Sequence, residues 1–189
     1  MIPGFFIHPS VILWLSVLYY LTPEVVFPFL LASCIHELGH YIVLCKLNRR
    51  PMSLTITFSG AVMETPPLSY KEELFAALGG PVVSLLCIAW IPIFPGFSLY
   101  SIILGLVNLI PIPGLDGEKA LRGLLCLILS PEKSDTLCAI VSVFAALLMF
   151  LVSTALSRQQ NLGWWPVAIT AIFLLRSLYN ALPHTKNMV

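Results

Sequence analysis

The feature that most constrains this chain is a succession of long apolar segments with almost no charge inside them. Of its 189 residues, 58% are hydrophobic and only 10% are charged, whereas a soluble domain typically has about 25% charged residues. So few charges cannot cover a surface that faces water on all sides. The composition therefore predicts an integral membrane protein.

The same composition excludes several other classes of protein. A soluble enzyme and a disordered chain both need many more charged residues than this chain has. The formal net charge of +1 provides no basic surface for nucleic acid, so we expect the lipid bilayer and no nucleic acid among its partners. The five cysteines contain no Cys-x-x-Cys pair and are interpreted as small buried hydrophobic residues.

Six apolar segments are long enough to be membrane spans, because a helix that crosses a bilayer needs about 20 apolar residues. They cover residues 5–21, 25–47, 74–94, 97–129, 137–156 and 164–182. Residues 111–117 interrupt the fourth segment with two prolines and two glycines, which cannot continue a regular helix. We therefore predict a single-domain, all-α membrane protein with about six transmembrane helices, the fourth of them broken.

A different pattern lies between the second and third spans, in residues 52–64. Leu54, Ile56 and Phe58 alternate with serine and threonine, and this period of two is typical of a β-strand. Gly60 allows a bend before a second short strand. We expect a small membrane-associated β-hairpin or sheet after the second helix.

The positions of lysine and arginine predict the orientation of the chain in the membrane. If the amino terminus is cytoplasmic and the spans number six, nine of the ten Lys and Arg residues lie on or near the cytoplasmic side, and only Arg158 lies outside. Such an asymmetry follows the positive-inside rule. Both termini are therefore expected to be cytoplasmic.

The sequence His36-Glu37-Leu38-Gly39-His40 lies inside the second apolar segment. Residues four apart share a face of a helix, so both imidazoles can bind one metal ion while Glu37 takes a proton from water. This arrangement is found in zinc hydrolases. A polar patch held by interhelical hydrogen bonds is the alternative, and the cost of polar groups in a bilayer disfavours it. Iron, cobalt and manganese are alternatives to zinc.

A tetrahedral catalytic zinc ion needs a third protein ligand. Asp116 is the best candidate by context, because it lies in the broken fourth span, and irregular backbone at membrane depth is tolerated only where it is buried or lines a cavity. Glu118 is the alternative ligand. The other interpretation of Asp116 is a helix N-cap.

Two further motifs accompany His36–His40. Asn108–Gly117 has the pattern N-x-x-P-x-P-x-L-D-G at every fixed position, and Gly80–Ser84 has the pattern G-x-x-x-N/S/G. Together the three motifs resemble those of the site-2 protease family of intramembrane zinc metalloproteases. The resemblance is strong from about residue 34 to residue 121, and elsewhere it rests on hydropathy.

The resemblance implies a role for each matching residue. His36, His40 and Asp116 would hold one zinc ion, with Glu37 as the general base. Asn108 would lie close to the metal and either orient the substrate or stabilise the oxyanion, the alternative being an interhelical hydrogen bond. Gly80 would permit close packing of helices. Four further residues are candidates for substrate binding: Ser84, and Leu54, Ile56 and Phe58 on a strand whose free edge would pair with an unwound substrate.

The function that the resemblance implies is hydrolysis of peptide bonds within or beside the transmembrane segments of membrane-bound substrates. We expect no PDZ or CBS domain and a location in the bacterial cytoplasmic membrane, and the short form is most similar to the branch that contains sporulation sigma-factor-processing enzymes. Two other functions remain open. One is a non-proteolytic metal-binding membrane protein or transporter, and the other is an inactive scaffold that binds substrates.

Overall fold

Two compact units follow one another along the chain and divide between Asn108 and Leu109. The computed structural model describes residues 4–57, 60–160 and 163–182. In the first unit the described elements are β1 Gly4–Ile7, α1 Pro9–Leu21, α2 Pro23–Lys46, β2 Ser53–Thr57, β3 Gly60–Glu64, α3 Tyr70–Leu86 and α4 Pro95–Asn108. In the second unit they are α5 Asp116–Cys126, α6 Pro131–Gln160 and α7 Trp165–Ala181.

Within the described residues, three helical stretches are long and apolar enough to cross a bilayer by themselves. They are Pro23–Lys46, Tyr70–Trp90 and Pro131–Gln159. The second of these is α3 extended by a 3₁₀ turn, Cys87–Trp90, and α4 is an apolar helix of shorter length. The predicted fold, a helical membrane protein with a small sheet after the second helix, is confirmed.

The amino-terminal segment corrects the predicted start of the first span. Gly4–Ile7 form a strand, β1, which pairs in parallel with Ser53–Ile56 of β2. The helix begins only at Pro9, after the N-cap residue His8. A short apolar run fits a strand as well as it fits a helix, so the pairing partner decides between them.

The strand β2 lies in the centre of the three-stranded sheet, whose order is β1-β2-β3. Its other neighbour, β3, is antiparallel, as expected for a hairpin. Both edges of β2 are therefore occupied, and the expectation that this strand offers a free edge to a substrate is wrong. Contact of the Leu54 and Ile56 side chains with a substrate stays a prediction, and Phe58 lies outside the described residues.

Helices α2 and α3 meet at a contact between glycines. A Cβ atom on Gly39 would fall against the carbonyl group of Gly79, and one on Gly79 would lie 2.8 Å from the carbonyl oxygen of Gly39. Backbones approach this closely only where side chains are absent. The contact brings the middle of α2 against the middle of α3.

The predicted break in the fourth span is confirmed. The irregular stretch covers residues 109–115, so it begins two residues earlier than predicted. Pro111 and Pro113 have no backbone N–H to donate, and Gly114 has a φ of +94°, where other residues are strained. Asp116 opens α5, whereas the sequence prediction included it in the interruption.

In the second unit, α6 and α7 pack through small polar residues. Ser153 and Thr170 are buried, and their hydroxyl oxygens lie 2.7 Å apart. Between membrane helices there is little hydrophobic drive for association, so close packing of small residues and hydroxyl bonds hold such helices together.

We predict that Gly39→Ala lowers the thermal stability of the protein. The added Cβ meets the backbone carbonyl of Gly79, and overpacking of this kind typically costs about 1–3 kcal/mol. The measurement is the melting temperature of the purified chain in detergent. Gly96→Ala is the matched control, because a Cβ there meets only Pro28 carbons, at 3.7 and 3.8 Å. Equal melting temperatures for the two variants would contradict the importance of the glycine contact.

Candidate metal centre

His36 and His40 project from one face of α2, one helical turn apart. Their ring centroids are 4.9 Å apart, and their Nε2 atoms are 3.2 Å apart. His36 is only 3% exposed, and His40 is half-buried. The structure thus brings the two predicted ligands together.

Helix α3 provides a partner for the Nδ1 atom of each ring. His36 Nδ1 lies 2.9 Å from the hydroxyl oxygen of Ser84, and His40 Nδ1 lies 2.7 Å from the carbonyl oxygen of Ala76. Nδ1 of His40 also lies 3.3 Å from the backbone nitrogen of Gly80, but the carbonyl contact is much shorter, and a carbonyl oxygen can only accept. We therefore assign the proton to Nδ1, which leaves the lone pair on Nε2 of the neutral ring. The Ser84 hydroxyl can accept from Nδ1 of His36 or donate to it, so this contact is compatible with the same tautomer.

When both Nδ1 atoms are protonated, the two Nε2 lone pairs face each other across 3.2 Å, which is repulsive unless a proton or a metal ion lies between them. Two nitrogens bound at 2.0–2.1 Å to one tetrahedral zinc ion would be about 3.3 Å apart. Ligand histidines also commonly donate from the other ring nitrogen to a carbonyl or similar acceptor. The pair therefore fits a zinc ion in both spacing and hydrogen bonding.

Gly80 leaves open the space beside both Nε2 atoms. A Cβ at this position would lie 2.7 Å from Nε2 of His36 and still closer to Nε2 of His40. The sequence explains Gly80 by close helix packing alone. The structure adds a second reason, because any side chain at residue 80 would fill the position beside the two ligand atoms.

Glu37 and Asn108 belong to the same unit as the histidines. Glu37 follows His36 in α2 and is half-buried. Asn108 is the last residue of α4, and its side-chain Nδ2 donates to the carbonyl oxygen of Leu104 in the same helix at 3.0 Å. An amide nitrogen carries two protons, so this bond uses one of them. Because the bond lies within α4, it is not the interhelical contact considered as the alternative role of Asn108.

Asp116 and Glu118 belong to the second unit and occupy different positions in α5. Asp116 is the first helical residue and is half-buried, while the N-cap position is Leu115. The alternative interpretation of Asp116 as an N-cap is therefore wrong. Glu118 accepts the backbone N–H of Gly114 at 3.3 Å, which engages its carboxylate in the preceding loop. These positions favour Asp116 over Glu118 as a metal ligand.

The structure places Ser84, a candidate for substrate binding, beside a candidate ligand. Its side chain is 0% exposed, and its hydroxyl is the partner of His36. The signal that could have found this role is the spacing of Ala76, Gly80 and Ser84, since residues four apart share a helix face. The acceptor at Ala76 is a backbone group, for which the sequence has no signal.

Comparisons with known proteins agree with the fold and with the motifs. Residues 68–152 match the family model of Peptidase family M50, a range that includes Gly80–Ser84 and Asn108–Gly117 and begins after His40. The solved structure titled Site-2 Protease from Methanocaldococcus jannaschii has the same fold, with a TM-score of 0.66, 23% identity, and coverage of 96% of this chain and 93% of that chain. No curated protein matches the chain. The resemblance carried by the motifs is confirmed, and the chain is an integral membrane protein.

We predict that Ser84→Ala weakens zinc binding by about 10- to 100-fold, the usual effect of losing the hydrogen bond that orients a ligand histidine. The zinc dissociation constant of the full chain in detergent is measured by competition with a chelator. Ser98→Ala is the matched control, because Ser98 is equally buried and its hydroxyl has no hydrogen-bond partner among the described residues. Equal affinities in the two variants would show that Ser84 does not orient His36.

A second prediction concerns Gly80→Ala, which we expect to abolish zinc binding while α3 stays folded. The added Cβ takes the space beside both Nε2 atoms, and alanine in a helix is more favourable than glycine by about 1 kcal/mol. Zinc content is measured by elemental analysis, together with helicity by circular dichroism. A Gly80→Ala protein that holds zinc with wild-type affinity would contradict the position assigned to the ion.

Proposed function

We propose that the chain, whose residues 68–152 match Peptidase family M50, is a zinc-dependent protease that hydrolyses peptide bonds within or beside transmembrane segments of membrane-bound proteins. The observation that carries the proposal is the pair of facing Nε2 atoms, 3.2 Å apart, on the helix that also carries Glu37. Two imidazoles with an adjacent carboxylate are the donor set of hydrolytic zinc sites.

The zinc ligands in this proposal are His36, His40 and Asp116, which offer two imidazole nitrogens and one carboxylate oxygen. Three protein ligands leave a position open, which distinguishes catalytic zinc sites from structural ones. When bound there, zinc supplies Lewis acidity to the reacting carbonyl group and to water.

Glu37 carries the proton during hydrolysis. Because Glu37 follows His36 in α2, the helix turn that positions the His36 imidazole also positions the Glu37 carboxylate. The carboxylate accepts a proton from water as the new C–O bond forms, and it delivers that proton to the leaving amine as the C–N bond breaks. A pure metal-binding site has no use for such a group.

Asn108 has the chemistry to stabilise the carbonyl oxygen of the substrate. One proton of its amide is bonded to the Leu104 carbonyl oxygen, which fixes the side chain at the end of α4. The second proton can donate to an oxygen that gains negative charge in the transition state. A fixed donor of this kind stabilises the charge without a proton transfer.

We propose that both termini and the site lie on the cytoplasmic side of a bacterial cytoplasmic membrane, and the distribution of basic residues supports this side. His40 lies six residues before Lys46, which is about 9 Å along a helix, and Asp116 lies three residues before Lys119. Both ligands are therefore close in sequence to basic residues on the side that the positive-inside rule assigns to the cytoplasm. Water from the cytoplasm therefore has a short path to the proposed zinc site.

A metal-binding transporter or an inactive scaffold would use the same histidines without chemistry at Glu37. No observation on the described residues favours either of these functions. The presence of a carboxylate beside the ligand pair favours hydrolysis.

We predict that Glu37→Gln lowers the rate of cleavage of a single-span model substrate by about 10²- to 10⁴-fold while zinc remains bound. The amide keeps the shape of the side chain but cannot accept the proton. The assay follows product formation by the full chain in lipid vesicles, with zinc content measured on the same preparation. Asp116→Ala is expected to lose both zinc and activity.

Each function gives a different result in this assay. Equal cleavage by wild type and Glu37→Gln would rule out the proposed mechanism. Zinc binding without cleavage in either protein would favour the metal-binding function, and an absence of both zinc and cleavage would favour the scaffold.

A further inference from the structure

Arg176 is a charged residue within an apolar helix, and the proposed protease mechanism does not use it. It is the only charged residue in the sequence of α7, and it lies five residues before the end of that helix. A cation within a membrane span costs several kcal/mol on typical estimates, so such residues usually have a functional or structural role.

The guanidinium group of Arg176 lies against Gly114. A Cβ atom on Gly114 would be 2.8 Å from Nη1, 3.0 Å from Cζ and 3.1 Å from Nη2 of Arg176. Three nearly equal distances mean that the flat end of the guanidinium covers the open side of this glycine. The φ of +94° at residue 114 also favours glycine. Both the backbone conformation and the lack of space for a side chain therefore require glycine at this position.

The loop that contains Gly114 has few hydrogen bonds of its own. Pro111 and Pro113 cannot donate, and within the loop Ile112 N–H donates to the Ile110 carbonyl at 2.8 Å and Leu115 N–H to the Ile112 carbonyl at 3.0 Å. The N–H of Gly114 itself donates to Glu118 at 3.3 Å. Gly114 therefore contacts a carboxylate of α5 and a guanidinium of α7.

We infer that Arg176 is a positioning residue that fixes the loop 111–115 and, through it, the carboxylate of Asp116. This inference rests on the proposed function, in which Asp116 is a zinc ligand. Gly114 precedes Asp116 by two residues, so a displaced loop moves the ligand directly. A misplacement of about 1 Å at a catalytic site can lower the rate by about 10²-fold.

Arginine suits this role because the face of its planar guanidinium covers Gly114. Lysine would keep the charge but not the flat contact. Substitution by lysine therefore separates a role in positioning the loop from a role of the charge alone in membrane orientation.

The test compares Arg176→Gln and Arg176→Lys with wild type, using the full chain purified in detergent. We expect both variants to raise the zinc dissociation constant about tenfold, the lower range for loss of a supporting contact around a metal site. We also expect kcat to fall while KM changes less than about twofold. Arg158→Gln in α6 is the matched control, since Arg158, like Arg176, is an exposed arginine near the carboxyl end of its helix, and it should behave as wild type.

The outcomes distinguish this inference from the proposed function. Wild-type zinc affinity and kcat in Arg176→Gln, or their full recovery in Arg176→Lys, would overturn the inference and leave the protease intact. Failure of the wild type to bind zinc or to cleave would overturn the proposed function instead. If Arg176→Gln does not fold, Arg176→Lys alone tests the contact, because lysine keeps the charge and removes the flat guanidinium. Weaker zinc binding in that variant supports the inference, and wild-type affinity overturns it.

Discussion

The direct backbone contact between Gly39 of α2 and Gly79 of α3 is the constraint on which the histidine site depends. Helices that pack through ordinary side chains have axes about 8–10 Å apart, and small residues at the contact allow a closer approach. The bonds from the rings to Ala76 and Ser84 are 2.7 and 2.9 Å long, so a separation larger by even 1 Å would break both of them. The glycine contact is therefore necessary for both hydrogen bonds that orient the imidazoles.

Three residues on one face of α3, spaced four apart, then have three different roles. Ala76 provides a carbonyl acceptor, Gly80 provides space, and Ser84 provides a hydroxyl. Hydrogen bonds in surroundings of low dielectric constant are stronger than in water, and unpaired polar groups there are costly. A helix with small residues on this face can thus fix both imidazoles without adding a charge to the interior of the membrane protein.

Much of the fold and part of the site follow from local sequence. The helical spans follow from hydropathy, the break in the fourth span from its prolines, and the shared face of His36 and His40 from their spacing. The spacing of Ala76, Gly80 and Ser84 places them on one face of α3, but the contact of Ser84 with His36 depends on how two helices align across 48 residues of chain. The strand Gly4–Ile7 escaped prediction for the same reason, since its partner β2 is remote in sequence. The acceptor for His40 is the backbone carbonyl of Ala76. Every residue has such a carbonyl, so the sequence does not single out this one.

The proposed zinc ligands in the two units are held in place by different physical causes. The histidines are fixed by a helix–helix contact, whereas Asp116 follows an irregular segment with few hydrogen bonds. Restricted backbone torsion angles hold this segment in place of those hydrogen bonds. Pro111 and Pro113 hold φ near −65°, and each proline also restricts the residue before it. Gly114 has a positive φ of +94°, and contacts with Glu118 and Arg176 hold it in this conformation. A loop restricted in this way can present a metal ligand with a precision that regular secondary structure usually supplies.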